Sequence, residues 1–476
     1  MEQIITSISS ILTDYVMVTA LLLVAVFFTI ATKGVQFRMI GEMCRLLLAS
    51  GKKDEAEVKG EKPKEGSVSS FQAFTLSIAA RVGTGNLAGV ATAIAIGGPG
   101  AVFWMWVIAL LGASSAFIES TLAQLYKVRG ENSFRGGPAY YIQKGIGKRW
   151  WAVTFAVLIT LTFGFAFNTV QSNTIASAFE QSFAFPREYM AIILSVLTLI
   201  IVFGGIKSIS RFSEIVVPIM AVAYLVLAIV IVALNIGRIP EVMSVIASHA
   251  LGMEQAAGGA VGMGITMGIK RGLFSNEAGE GSTPNAAATA TTSHPVKQGL
   301  IQTLGVYTDT LLICSATAFI ILCSGLYTEG YDGIVLTQKA IDVQLGGGHN
   351  YGSIFVSLAI LFFAFTSIIA NYYYGETNIR FIKDNKVLIG MYRLAVGIVV
   401  YLGGIMSLDL VWGFADITMA LMTFCNLAAI LVLGKYALRL LKDYQRQRKE
   451  GQDPVYVSSI IPEIADQTET WTPDKN

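Results

Sequence analysis

Apolar residues fall into long runs parted by short polar stretches. Runs at about 15–32, 71–95, 101–126, 150–179, 189–204, 213–235, 253–290, 299–325, 351–379, 387–406 and 410–434 predict eleven membrane-crossing helices, the seventh interrupted. Most reach the roughly 18 to 25 residues needed to cross about 30 Å of hydrocarbon. Barrel strands need only about 9 to 11, so runs of this length leave helices as the spanning element. Residues 1 to 10 carry no Lys or Arg, so the first run is expected to be a retained helix and not a cleaved leader.

Charge then orients the spans. With the amino terminus outside, the connections 33–70, 127–149, 205–213, 291–298 and 380–393 and the end 435–476 face inward and hold 28 of the 34 Lys and Arg residues. The outer connections hold three, Arg187, Arg238 and Lys339. That asymmetry is the positive-inside bias. It predicts a multi-pass cell-membrane protein with its carboxyl terminus in the cytoplasm. The polar stretch after Gln445 reads as a short solvated end, and residues 134–147 as an amphipathic surface segment.

Composition agrees: 54% of residues are hydrophobic and 14% charged, against roughly a quarter charged in soluble proteins. The net charge of +2 is scattered through loops and forms no nucleic-acid patch. Cys44, Cys314, Cys323 and Cys425 have no zinc or redox spacing, and three dispersed histidines suggest no metal centre or haem. No phosphate-binding loop is present, so primary pumping is not expected. With no nucleophile–base arrangement at membrane depth either, an enzyme is not expected, and neither is a cofactor.

A repeat lies within the chain. Arg81-Val-Gly-Thr-Gly-Asn86-Leu-Ala-Gly89 matches Arg271-Gly-Leu-Phe-Ser-Asn276-Glu-Ala-Gly279, both reading Arg, four residues, Asn, one residue, Ala-Gly. Phe165-Ala-Phe167 with Asn173 likewise matches Phe363-Ala-Phe365 with Asn371. These pairs divide the chain into an extra helix and linker (1–70), a five-span block (71–235), an outer connection (236–252), a second five-span block (253–434) and a cytoplasmic tail (435–476). Five is odd, so the second block is inverted, as in secondary transporters. Gly83-Thr84-Gly85 and its counterpart Leu273-Phe274-Ser275 are the expected helix breaks, since glycine costs about 1 kcal/mol in a helix interior. A break in hydrocarbon is tolerable only beside a cavity or ligand. The half-helix starting near Asn86 points a positive dipole end at the bilayer centre, suited to a carboxylate. Freed carbonyls of residues 79 to 82 suit a small hard cation such as Na+.

At these residues the chain resembles the prokaryotic alanine or glycine:cation symporter family. The resemblance covers almost the whole chain and is carried by VGTGNLAGVATAIAIGGPGAVFWMW from Val82, RGGP from Arg135 and KRGLFSNEAGEGSTPNAAA from Lys270. It implies an all-α LeuT-type fold, a 5+5 inverted repeat with one extra amino-terminal helix and two broken helices. It also implies a Na+ site of the Ala79, Val82 and Phe363 carbonyls with the Thr366 and Ser367 hydroxyls. For the substrate it implies Thr84, Gly85 and Asn86 at the carboxylate, Phe167 and Gln171 on one helix face, and Leu273, Phe274 and Ser275 around the amine and side chain. One position departs from the family: a Trp common before Tyr-Tyr-Gly-Glu is Asn371 here, which enlarges the pocket and makes it polar. The expected activity is import of a small neutral amino acid with Na+ by alternating access, glutamine favoured and alanine or glycine next. Proton coupling through Glu119 or Asp309 is the alternative, and a channel or a membrane enzyme stands in a different class. Arg81 and Arg271 are expected to anchor or gate the breaks, pairing with broken-helix carbonyls or with Glu277, Glu280, Glu119 or Asp309. The expected partners are the amino acid, Na+ and the lipid bilayer, with a monomer as the functional unit.

Overall fold

The computed structural model describes residues 10–49, 68–130, 133–252, 258–346, 349–468 and 470–471, with backbone alone at 11, 205–213 and 258–260. Most of the predicted inner linker and the last five residues of the tail lie outside these. The chain forms α1 (Leu12–Ala31), α2 (Ile40–Ala49), α3 (Ser70–Arg81), α4 (Gly85–Gly97), α5 (Gly100–Leu125), α6 (Arg149–Phe183), α7 (Arg187–Val202) and α8 (Gly205–Leu234). It continues as α9 (Ile239–Leu251), α10 (Gly258–Asn276), α11 (Pro295–Ser324), α12 (Gly333–Gln344), α13 (Tyr351–Ile382), α14 (Lys386–Ile405) and α15 (Leu408–Lys449). Eight of these helices, namely α1, α5, α6, α8 from Glu214, α11, α13, α14 and α15, are long and apolar enough to cross a membrane.

Their outer faces are apolar, and polar side chains are set into an otherwise apolar interior. On α8 the exposed positions Ile215, Ile219, Val222, Val226, Ile229 and Val230 recur at helical spacing, the stripe a lipid-facing helix presents. Inside the bundle Gln171, Asn173, Asp309, Ser367 and Asn426 are buried. α5 packs on α10 and α11, α6 on α13 and α14, and α8 on α3 and α13, so the two interrupted segments sit between long helices. α1 lies against α5 and α15.

Three features differ from the expectations. Residues 134–147 are only partly at the surface: 136–142 are buried, with the Tyr141 hydroxyl donating to Asn426, while 143–146 are half-buried and Gly147 is exposed. α12 stands where a loop was expected, started by the Asp332 carboxylate that accepts from the Gly333 N–H. Nor are the described residues after Gln445 wholly solvated. α15, at 42 residues, is about 63 Å long and runs well past the bilayer. Residues 453–468 then fold back along it, with Ile461 and Ile464 buried, the Tyr456 N–H on the Ser293 carbonyl at 2.9 Å and Lys297 on Asp453 at 2.7 Å. Its apolar residues are spaced too irregularly to have shown a packed face.

Candidate substrate and ion site

α3 ends at Arg81, and the chain leaves the helix through Val82, whose ψ of 92° is extended. The helix restarts at Gly85. The gap frees polar groups that side chains then take up. The Asn86 Oδ1 accepts the Gly83 N–H at 2.9 Å, and the Gln171 Oε1 accepts the Thr84 N–H at 2.9 Å. Gly83 is required here: a Cβ would overlap the Ser367 hydroxyl and come within 2.7 Å of Gln171 Oε1.

The five oxygens of the expected cation cage come together. The Ser367 hydroxyl on α13 lies 2.8 Å from the Ala79 carbonyl, 3.3 Å from Val82 and 3.0 Å from Phe363. Thr366 donates to the Phe363 carbonyl at 2.9 Å. Thr366 makes the ordinary back-bond of a helix hydroxyl. Ser367 does more, because it reaches across to α3. One hydroxyl has a single proton to give, yet three carbonyls crowd it. That surplus of negative dipole ends in a buried place suits a monovalent cation.

Beside it the other expected residues also meet. A Cβ on Gly85 would come within 3.0 Å of the Ser275 Cα, so the first break touches the end of α10. Phe167 packs on Phe274 with ring centroids 4.4 Å apart. The Asn371 amide donates to Asn168 at 3.2 Å, while its own oxygen has no hydrogen-bond partner. Thr84 Oγ1 is likewise buried without one. All nine expected substrate residues are buried, so this conformation is closed on both sides.

The second break is displaced from its expected place. Leu273, Phe274 and Ser275 remain helical, the Leu273 carbonyl accepting the Glu277 N–H at 2.8 Å, so that carbonyl is not offered to an amine. The chain turns instead at Glu277, Gly279 and Gly281, all at positive φ. Two glycines supply that geometry there, and none occurs at 273 to 275. Phe274 contributes an aromatic wall.

A model of the sodium:alanine symporter family matches residues 1–458. This chain belongs to that family. Its members are transporters and not enzymes. The chain is 49% identical over 462 residues to the probable sodium/glutamine symporter GlnT of Bacillus subtilis, covering 97% of this chain and 94% of that one. It is also 49% identical over 479 residues to the amino-acid carrier protein AlsT of the same organism, covering 100% and 99%. Among solved structures, MhsT in complex with L-phenylalanine superposes with a TM-score of 0.55 at 15% identity, over 85% of this chain and 93% of that one. At that identity the likeness speaks for the LeuT-like fold alone.

Within this family member, Asp309 on α11 is the side chain the sequence left without a settled role. Its Oδ1 accepts Asn86 Nδ2 at 2.6 Å, and its Oδ2 accepts Ser275 Oγ and Thr310 Oγ1, both at 2.9 Å. One carboxylate therefore ties the start of α4 to the end of α10. Glu119 does the same for the second break, accepting the Gly279 and Gly281 N–H groups at 3.1 Å and Asn426 Nδ2 at 2.7 Å. The two arginines part company. Arg271 pairs with Asp416 at 3.1 Å, and not with the expected acids. Lys270 joins the same carboxylate at 2.8 Å and Asp14 of α1 at 3.2 Å. Arg81 forms no ion pair among the described residues and donates to the Gln302 carbonyl at 3.2 Å. Trp412 was missed altogether: it stacks under the Arg271 guanidinium at 3.8 Å and against Phe274 at 4.7 Å. Its position one turn before Asp416 was the available signal.

Proposed function

We propose that this chain imports a small neutral amino acid together with Na+ by alternating access, glutamine before alanine or glycine. The observation that carries the reading is the Ser367 hydroxyl ringed by carbonyls from α3 and α13. A cation there would be held by neutral oxygens, joining a broken helix to a long one. Loading it would favour one arrangement of the two, which is how an ion gradient can drive a conformational cycle. The carboxylate of the amino acid would meet the Gly85 end of α4, where the helix dipole is positive. Its side chain would reach the unpartnered Asn371 oxygen, an acceptor suited to the amide of glutamine. Phe167, Gln171, Leu273, Phe274 and Ser275 would line the remainder.

The wider arrangement belongs to the same proposal: eleven spans, a 5+5 inverted repeat after α1, an outer amino terminus, a cytoplasmic carboxyl terminus and a monomeric unit. Uptake of radiolabelled glutamine, alanine and glycine into proteoliposomes tests it, with Na+ inward or replaced by K+ or choline. Na+-dependent accumulation led by glutamine is expected. Uptake indifferent to Na+ would remove the cage from the mechanism.

A further inference from the structure

Glu280 lies in the turn between α10 and α11, fully buried, and neither of its carboxyl oxygens has a hydrogen-bond partner among the described residues. Two more buried carboxyls share its surroundings. Glu277 accepts the Ser282 and Thr283 hydroxyls, and Glu119 is fully taken up by two backbone N–H groups and Asn426. The charged groups acting on Glu280 are Glu277, Glu119 and Arg81. Arg81 keeps its distance, with Nε and Nη2 buried and unpartnered. Asp309 on α11, Tyr374 on α13 and Tyr141 complete the titratable set around the cluster.

Three carboxyls against one guanidinium cannot all be ionised cheaply in a dry place, and the one without donors is the costliest anion. Either a cation or a proton must neutralise it. No group of three or more His, Cys, Asp or Glu side chains that could hold a metal ion comes together among the described residues, and a proton is the neutralising charge that needs no further ligand. We propose that Glu280 is a proton-binding site linked to the transport cycle. The proton sits on Glu280 while this end of the bundle is closed, as in this structure. It passes to water when the turn from Glu277 to Thr283 opens, and is taken from water when it closes. The backbone on either side of the carboxyl turns at positive φ, at Glu277, Gly279 and Gly281. Glu119 and Asp309, whose oxygens are already bonded, are the weaker carriers.

This inference rests on the transport reading, and the experiment separates the two. Na+-driven glutamine uptake is measured in proteoliposomes of the full chain between about pH 6 and pH 9, for the wild type and Glu280→Gln. A pH dye in detergent follows proton exchange on adding Na+ and glutamine. Wild-type uptake is expected to fall toward alkaline pH, by up to ~tenfold per pH unit for one proton, with Glu280→Gln flat and silent to the dye. A wild-type profile retained in Glu280→Gln overturns the site and leaves the symporter standing. No accumulation at any pH overturns both. If Glu280→Gln does not fold by gel filtration, Glu280→Asp decides: a slope like the wild type with a displaced midpoint supports the site, and an unmoved midpoint overturns it.

Discussion

Ser367 stands out among the residues of the cage because its hydroxyl does what a helix back-bond does not require. Thr366, the preceding residue, bonds only within α13. Ser367→Ala should therefore weaken Na+ binding by about tenfold or more, roughly 1.4 kcal/mol, and Thr366→Ala by less. The measurement is the Na+ concentration giving half-maximal uptake at saturating glutamine; an unchanged value for Ser367→Ala would dismiss the cage. Asn371 bears on the other ligand. With its oxygen unpartnered and its amide on Asn168, it would offer a substrate amide one good acceptor under the proposed reading. Asn371→Trp should fill that space, abolishing competition by glutamine while leaving competition by alanine. The first break was readable in sequence because Gly-Thr-Gly-Asn acts through its own local backbone, whereas Ser367, whose contact to Ala79 spans 288 positions, and Asn371 were legible only through the family resemblance. Asp309 and Glu280 were legible in neither way. Each takes its meaning from what lies around it, Asn86 and Asp309 being 223 positions apart.

Among the elements, the breaks and their long supporting helices were legible from run length and glycine content. The exact turn of the second break was not, because Ser275 and Asn276 repeat the pattern of the first break without its glycines. The structure there is held by charge. Asp416 on α15 carries both Lys270 and Arg271 of α10, all nearly buried, and Lys270 reaches on to Asp14 of the extra helix. Asp416→Asn would leave two buried cations with no partner but Asp14. Removing one member of a buried pair costs about 3–5 kcal/mol. A marked fall in Tm is expected on thermal unfolding in detergent, while Asp14→Asn, at the more exposed end, should change Tm little. Equal losses for both would mean that the Lys270–Asp14 link to α1 supports α10 as much as the Asp416 pair does. The same network sits beside Trp412 and Phe274, so its loss should also loosen the aromatic wall of the proposed substrate site.

At the scale of the whole molecule, the folded-back tail joins the end of α15 to the start of α11, and His294 is the residue that registers pH there. It lies outside the spans, fully buried, between the rings of Tyr444 and Tyr456. Its Nδ1 accepts the Val296 N–H at 3.2 Å, so the proton of the neutral ring is on Nε2, facing Asp443 at 3.4 Å. Burial holds its pKa below the usual histidine value, against the opposing pull of Asp443, and nearby Lys297 adds to the depression. Charging the ring would also force an N–H against the Val296 N–H. The sign follows from linkage. The unfolded histidine takes up a proton near pH 6.5 and the folded one only at lower pH, so this contribution is complete above about 6.5 and shrinks as pH falls below it. The docked tail should thus loosen in mild acid. Limited proteolysis at about pH 7.5 and about pH 5.5, followed at residues 453–471, should show faster cleavage at the lower pH. His294→Gln, whose side-chain oxygen can still accept from Val296, should remove most of that difference. Equal cleavage at the two values would mean that Lys297–Asp453 and the buried Ile461 and Ile464 hold the tail without help from the imidazole.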